Sequence, residues 1–164
     1  MGVEIERKFT VKELPKDLDK YPFHVIEQGY LNVKPAIRVR REDDEYYMTY
    51  KNREAYANKL QNAENTGLIG ATEYNLPLDK ESYEHMLTKA DGNVIRKKRY
   101  LIPTHDGLTI ELDVFGAPYE GTIIAEVEFS SEEAAAAYSP EEWFDEDVTG
   151  NPEYSNARMS LKQI

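Results

Sequence analysis

Four segments of the chain carry like charges two residues apart: Glu4 with Glu6, Arg38 with Arg40, Lys97 with Arg99, and Glu126 with Glu128. In an extended strand, residues two apart share a face, so each pair presents two charges of one sign to the same side. Paired carboxylates supply the hard oxygen ligands that a divalent cation takes. Arginine and lysine heads, rich in donors, suit phosphate oxygens. A solvated sheet face explains any one of these strands well enough. Solvated faces usually mix signs, however, because like charges at neighbouring sheet positions repel. Four single-signed faces in one chain point instead to a site.

The elements that must carry these residues are strands. Short alternating runs bounded by Gly, Pro, Asn or Asp predict strands over 3–9, 23–33, 36–41, 45–51, 68–76, 93–102, 108–115 and 123–129. Parity gives them one apolar face: Val3 and Ile5 against Glu4 and Glu6, Ile37 and Val39 against Arg38 and Arg40. Likewise Ile110, Leu112 and Val114 oppose Glu111 and Asp113, and Ala125, Val127 and Phe129 oppose Glu126 and Glu128. Arg41-Glu42-Asp43-Asp44-Glu45 and Thr104-His105-Asp106-Gly107 read as hairpin turns, which makes neighbours antiparallel. Helices are predicted near 11–18, after an Asp79 cap with Tyr83, Met86 and Leu87 on one face, and from Ser130-Ser131-Glu132-Glu133 into Ala134. Residues 52–67 read equally as a loop or as an extension of the flanking strands. The clusters Glu132-Glu133, Glu141-Glu142 and Asp145-Glu146-Asp147 read as solvated caps and loops.

Eight strands are the number of a small closed barrel. The expected fold is therefore a β-rich α+β one: a closed eight-stranded antiparallel β-barrel, a tunnel with a charged lumen and a few flanking helices, one domain over residues 1–164. Apolar faces would point outward, covered by helices and by a partner, which leaves a homodimer open. The lumen would gather Glu4, Glu6, Glu73, Glu111, Asp113, Glu126 and Glu128 with Lys8, Arg38, Arg40, Lys51, Lys97 and Arg99. That is nearly balanced, and one or two divalent ions would make it positive. A compact polyanion with adjacent phosphates fits such a lumen.

Composition limits the partners. The 164 residues, 18.9 kDa, suit one core. The net charge of −11 repels long nucleic acids. The absence of cysteine removes disulfides, thiolate metal sites and cysteine nucleophiles. The charged run Glu4 to Lys8 is unlike a signal peptide and no window is long and apolar enough to span a membrane, so a soluble cytoplasmic protein without a membrane partner is expected. No G-x-x-x-x-G-K-[ST] occurs, so any phosphate site is built from side chains. His24, His85 and His105 are isolated and read as surface or packing residues.

Glu4-x-Glu6-x-Lys8, then Arg38-x-Arg40, Lys51, Lys97-x-Arg99 and Glu126-x-Glu128 in order, resembles the CYTH, or triphosphate tunnel metalloenzyme, family. Gln28-Gly29-Tyr30-Leu31, Asp113-Val114-Phe115-Gly116, Val148-Thr149-Gly150-Asn151 and Tyr154-Ser155-Asn156 are similar to it as well. The resemblance implies metal-dependent hydrolysis of inorganic triphosphate to pyrophosphate and phosphate with Mg²⁺ or Mn²⁺, nucleoside triphosphates being possible poorer substrates. It implies that Glu4 and Glu6, with Glu126 and Glu128 from the opposite wall, hold metal, and that Glu73, Glu111 and Asp113 are candidates to hold a second metal or to orient the attacking water. Lys8, Arg38, Arg40, Lys51, Lys97 and Arg99 would grip phosphates, and Lys8, Glu73 and Tyr30 would serve catalysis. The family's other activities, adenylate cyclase, thiamine triphosphatase and RNA triphosphatase, stay open, as does a polyphosphate- or nucleotide-binding module without turnover. Two features depart from or blur the pattern. Asn75 stands where the family often has a second acid, and Arg96 and Lys98 are basic on the opposite parity from Lys97 and Arg99.

Overall fold

The computed structural model of the chain describes residues 2–54, 56 and 70–163. Its strands are β1 (Gly2–Val11), β2 (Phe23–Asn32), β3 (Ala36–Glu42), β4 (Glu45–Asn52), β5 (Gly70–Pro77), β6 (Asp91–Pro103), β7 (Thr109–Phe115), β8 (Ile123–Phe129) and β9 (Phe144–Asp147). Pairing runs β5-β4-β3-β2-β6-β7-β8-β1 and returns from β1 to β5, so eight antiparallel strands close the expected barrel. Closure falls on β1. One of its edges pairs with β8 from Ile5 to Thr10, and the other takes β5 at Gly2 to Ile5 and β9 at Phe9 and Val11.

β9 lies where the sequence predicts a solvated acidic loop. Its last three residues, Asp145, Glu146 and Asp147, are exposed, and charge on so short an edge strand discourages pairing with a further chain. No helix forms over 11–18. Val11 extends β1 into its pairing with Phe144, Pro15 denies a helix its donor, and a single 3-10 turn at Leu18–Lys20 remains. The other two predicted helices form, as α1 (Lys80–Leu87) and α2 (Glu132–Ala137), and α3 (Asn156–Ser160) is added near the C-terminus. Each has its cap: the side chains of Asp79, Ser131 and Ser155 accept from the backbone N–H of Ser82, Ala134 and Arg158. The predicted strand residues Leu68 and Ile69, and most of the open segment 52–67, lie outside the described residues.

Because the inward faces are ionic, the main apolar core sits outside the barrel wall. Phe9, Leu112, Ala125 and Val127 pack under Ala135, Tyr138 and Phe144. Phe9 stacks on Phe144 with centroids 4.7 Å apart. Burying each such Phe, Leu or Val stabilises the fold by roughly 1.5–3 kcal/mol. Arg7, on the same outward face, donates to the carbonyls of Ala135 and Tyr138 at 3.1 and 2.9 Å, a cation at the C-terminal end of α2. A second cluster, Tyr30, Ile95, Phe115 and Ile124 with Ala157 and Met159 of α3, fills one end of the barrel as a floor. Among the described residues no helix is long and apolar enough to cross a membrane.

Candidate active site

Strand alternation turns a set of charged side chains into the lumen of the barrel, around a cavity of about 820 Å³. Barrel order then separates the signs. The consecutive strands β7, β8 and β1 carry Glu111, Glu126, Glu128, Glu4 and Glu6, while β3, β4 and β6 carry Arg38, Arg40, Lys51, Lys97 and Arg99. Each of these ten lines the cavity, as do Lys8, Glu73 and Tyr30. The ambiguity on β6 is resolved by contacts. Lys97 and Arg99 point inward, whereas Arg96 pairs with Glu27 and Lys98 lies over the exposed ring of Phe23.

β1 and β8 are neighbours, so Glu4, Glu6, Glu126 and Glu128 share one acidic wall instead of facing each other from opposite walls: Glu6 lies directly across from Glu128, and Glu126 directly across from Glu111. Like charges in those positions repel. Burial raises the Glu128 carboxyl above the usual range, and Glu4, Glu111 and Glu6 push it further. Glu111 is also raised by burial, with Glu126, Asp113 and Glu4 adding to it against the pull of Arg99. Burial and Glu6 press Glu126 upward as well, but Lys8, Arg99 and Lys97 outweigh them and its shift is downward.

Cationic side chains from this chain relieve part of the repulsion. Lys51 Nζ lies 3.0 Å from Glu4 Oε1 and 3.4 Å from Glu6 Oε1, Arg53 Nη2 lies 2.9 Å from the same Glu6 oxygen, and Lys8 Nζ lies 3.5 Å from Glu126 Oε1. Among the described residues no three acidic or histidine side chains stand close enough together to enclose a metal ion. The donor chemistry nevertheless fits one, since Glu4, Glu6, Glu126 and Glu128 offer only carboxylate oxygens and Glu6 and Glu128 repel each other.

The basic wall rests on a buried polar network. Lys97 Nζ reaches Asp113 Oδ2 at 2.7 Å, and Arg99 grips both oxygens of Asp113 at 2.7 and 2.9 Å and Glu111 at 2.6 Å. Lys97 also donates to Asn156 Oδ1 at 2.9 Å, which accepts from Gln28 as well at 3.0 Å. Arg40 Nε donates to Gln28 Oε1 at 2.7 Å. Burial, joined by Arg99 and Arg40 against the attraction of Asp113, pulls Lys97 down to about 7. Arg38 Nε is buried without a hydrogen-bond partner among the described residues.

Asp113 departs from its expected place beside the metal ligands. It shares the inward parity of Glu111 but is fully buried and does not line the cavity, and both its oxygens are taken by Lys97 and Arg99. Asn75 donates to Glu73 Oε1 at 3.1 Å and accepts from Thr49 at 2.6 Å, so it holds Glu73 in place where the family often adds a charge. Gln28, Asn156 and Arg53 are site residues that a reading by charge pairs does not reach. Gln28 and Asn156 are neutral, and Arg53 follows β4 into the segment whose structure the sequence leaves open. Its spacing of two from Lys51 is the only signal in the sequence, although Arg53 itself is helical.

The model of the CYTH domain matches residues 2–148. This chain belongs to the CYTH domain family. Chains named as inorganic triphosphatases resemble it along nearly their whole length. An inorganic triphosphatase of Nitrosomonas europaea is 34% identical over 162 residues, which cover 96% of this chain and 97% of that one. An inorganic triphosphatase of Acetivibrio thermocellus is 32% identical over 162 residues, covering 97% and 94%. The crystal structure of the inorganic triphosphatase NE1496 superposes with a TM-score of 0.69 at 32% identity, covering 99% of this chain and 97% of that one. The CYTH match ends before α3, yet α3 supplies Asn156 to the lumen network.

Proposed function

We propose that this CYTH tunnel hydrolyses inorganic triphosphate to pyrophosphate and phosphate, with Mg²⁺ or Mn²⁺ as cofactor and residues 1–164 acting as one unit. The observation that carries this reading is the separation of the lumen into an acidic wall and a basic wall facing one small cavity. The near-full-length likeness to two inorganic triphosphatases supports it.

Arg38, Arg40, Lys51, Lys97, Arg99 and Lys8 bind the phosphate oxygens and set the chain of phosphates along the tunnel. The unpartnered Arg38 Nε is a donor prepared for such an oxygen. Asp113 does not ligate metal in this reading. It positions Lys97 and Arg99, whose heads it fixes from behind. Glu4, Glu6, Glu126 and Glu128 hold the divalent cation, with Glu111 at the edge of the set. When bound, that cation supplies charge neutralisation on the terminal phosphate oxygens and a lowered pKa for water. Glu73, held by Asn75, accepts the proton of the attacking water, and the Tyr30 hydroxyl orients the terminal phosphate. The water oxygen bonds to the terminal phosphorus, the bridging P–O bond breaks, and pyrophosphate leaves against the basic wall. Positioning and electrostatics do most of such a transfer.

The test is phosphate release from tripolyphosphate, ATP and thiamine triphosphate, each with Mg²⁺, with Mn²⁺ and with chelator. Tripolyphosphate should turn over fastest and chelator should stop it. Tripolyphosphate that binds and stabilises the protein without being cleaved would make this a binding module.

A further inference from the structure

Arg53 follows the last β4 pair, Asn52 with Thr72, as the first residue of a helical turn, and its side chain lines the cavity with Tyr47, Thr49 and Lys51. Its guanidinium reaches past β5 to the acidic wall on β1. There a single oxygen, Glu6 Oε1, holds Arg53 Nη2 at 2.9 Å and Lys51 Nζ at 3.4 Å. Glu6 is buried, so two cationic heads stand on one carboxylate with little water to screen them. A divalent cation that takes Glu6 must displace both heads or bear their repulsion. A bound triphosphate changes the balance, because its oxygens offer the same heads another anion.

We propose that Arg53 is an exchangeable counter-ion of the acidic wall, resting on Glu6 while the tunnel is empty and moving to phosphate oxygens when triphosphate enters, so that cation uptake is coupled to substrate uptake. This rests on the triphosphate reading above. Three features single out Arg53 rather than Lys51. It lies beyond the strand ladder, its side chain is one-third exposed where that of Lys51 is one-fifth, and its planar fork matches a phosphate edge. Coupling between two ligands is reciprocal. If triphosphate strengthens cation binding through Arg53, the cation strengthens triphosphate binding by the same factor.

The test is calorimetric titration of wild type, Arg53→Gln and Arg53→Lys with MnCl₂ alone, with tripolyphosphate alone in chelator, and with MnCl₂ in saturating tripolyphosphate. Arg53→Gln should bind Mn²⁺ alone about fivefold more tightly and tripolyphosphate alone about fivefold more weakly, the size of one partly exposed ion pair. The factor by which tripolyphosphate strengthens Mn²⁺ binding should shrink accordingly. Arg53→Lys, which keeps the charge without the fork, should fall between the two. If wild type binds both ligands and hydrolyses tripolyphosphate while Arg53→Gln leaves Mn²⁺ affinity and the coupling factor unchanged, Arg53 has no such role. If wild type binds neither ligand, the triphosphate reading itself is wrong.

Discussion

Glu128 shows what single residues of the acidic wall contribute. It stands across from Glu6, and burial together with Glu4, Glu111 and Glu6 raises its carboxyl. An acid raised on folding binds more protons folded than unfolded in the window above the ordinary carboxylate range, so its ionisation lowers stability as pH rises through that window. Glu128→Gln removes this penalty. A like-charge pair in a sheet costs roughly 0.2–1 kcal/mol, and solvent screening at an exposed side chain keeps it near the lower end. Without divalent cation, Tm at neutral pH should therefore rise by about 1–2 °C over wild type. The gap should close as the pH falls and Glu128 of the wild type protonates. Turnover with cation should fall by about 100-fold. A lower Tm in the variant, or undiminished turnover, would remove Glu128 from the cation set. Residues of this kind are legible in a sequence because charge paired at spacing two is rare on a wet face. Gln28 and Asn156 fall in stretches that resemble the family, but their roles stay hidden because a neutral side chain becomes part of a site only through the partners that the fold brings to it.

Elements position these residues with uneven visibility in the sequence. β1 to β8 announce themselves by alternation, and their inward parity places Glu4, Arg38, Lys97 and Glu126 on one surface. β9 and α3 are too short, at four and five residues, to show a period. Both are defined by what receives them: the free edge of β1 and the open end of the barrel. α3 depends on Gly92, which takes φ 67° and lies so close to the Ser160 carbonyl that a Cβ would collide with it. Gly92→Ala adds left-handed strain of roughly 1–2 kcal/mol and pushes α3 from β6. Tm should fall by about 2–8 °C, and kcat/KM for tripolyphosphate should fall with it, because Asn156 no longer holds Lys97. Thermal melting together with limited proteolysis of 148–163 measures this, and a variant that melts and resists protease like wild type would show that α3 does not depend on the close approach.

The whole molecule divides its charge between inside and outside. Its net charge is −11, yet Lys8, Arg38, Arg40, Lys51, Lys97 and Arg99 are gathered in the lumen, which leaves the exterior strongly acidic. A long polyanion meets that exterior before it meets the basic wall, and the floor under α3 denies it a passage through the barrel. A short polyanion enters from the open end and is then surrounded by donors in a partly dry space, where ion pairs are screened less than at the surface. The two should therefore separate in one melting experiment in chelator. Tripolyphosphate at about a hundred times its Kd should stabilise the fold by roughly 2.7 kcal/mol. For a chain of this size that is a rise in Tm of about 5–10 °C. Single-stranded RNA at the same phosphate concentration should leave Tm unchanged at about 0.15 M salt, where the Debye length is about 8 Å. An equal shift with RNA would mean that the basic groups can be reached from outside, and that the acidic shell does not select by length.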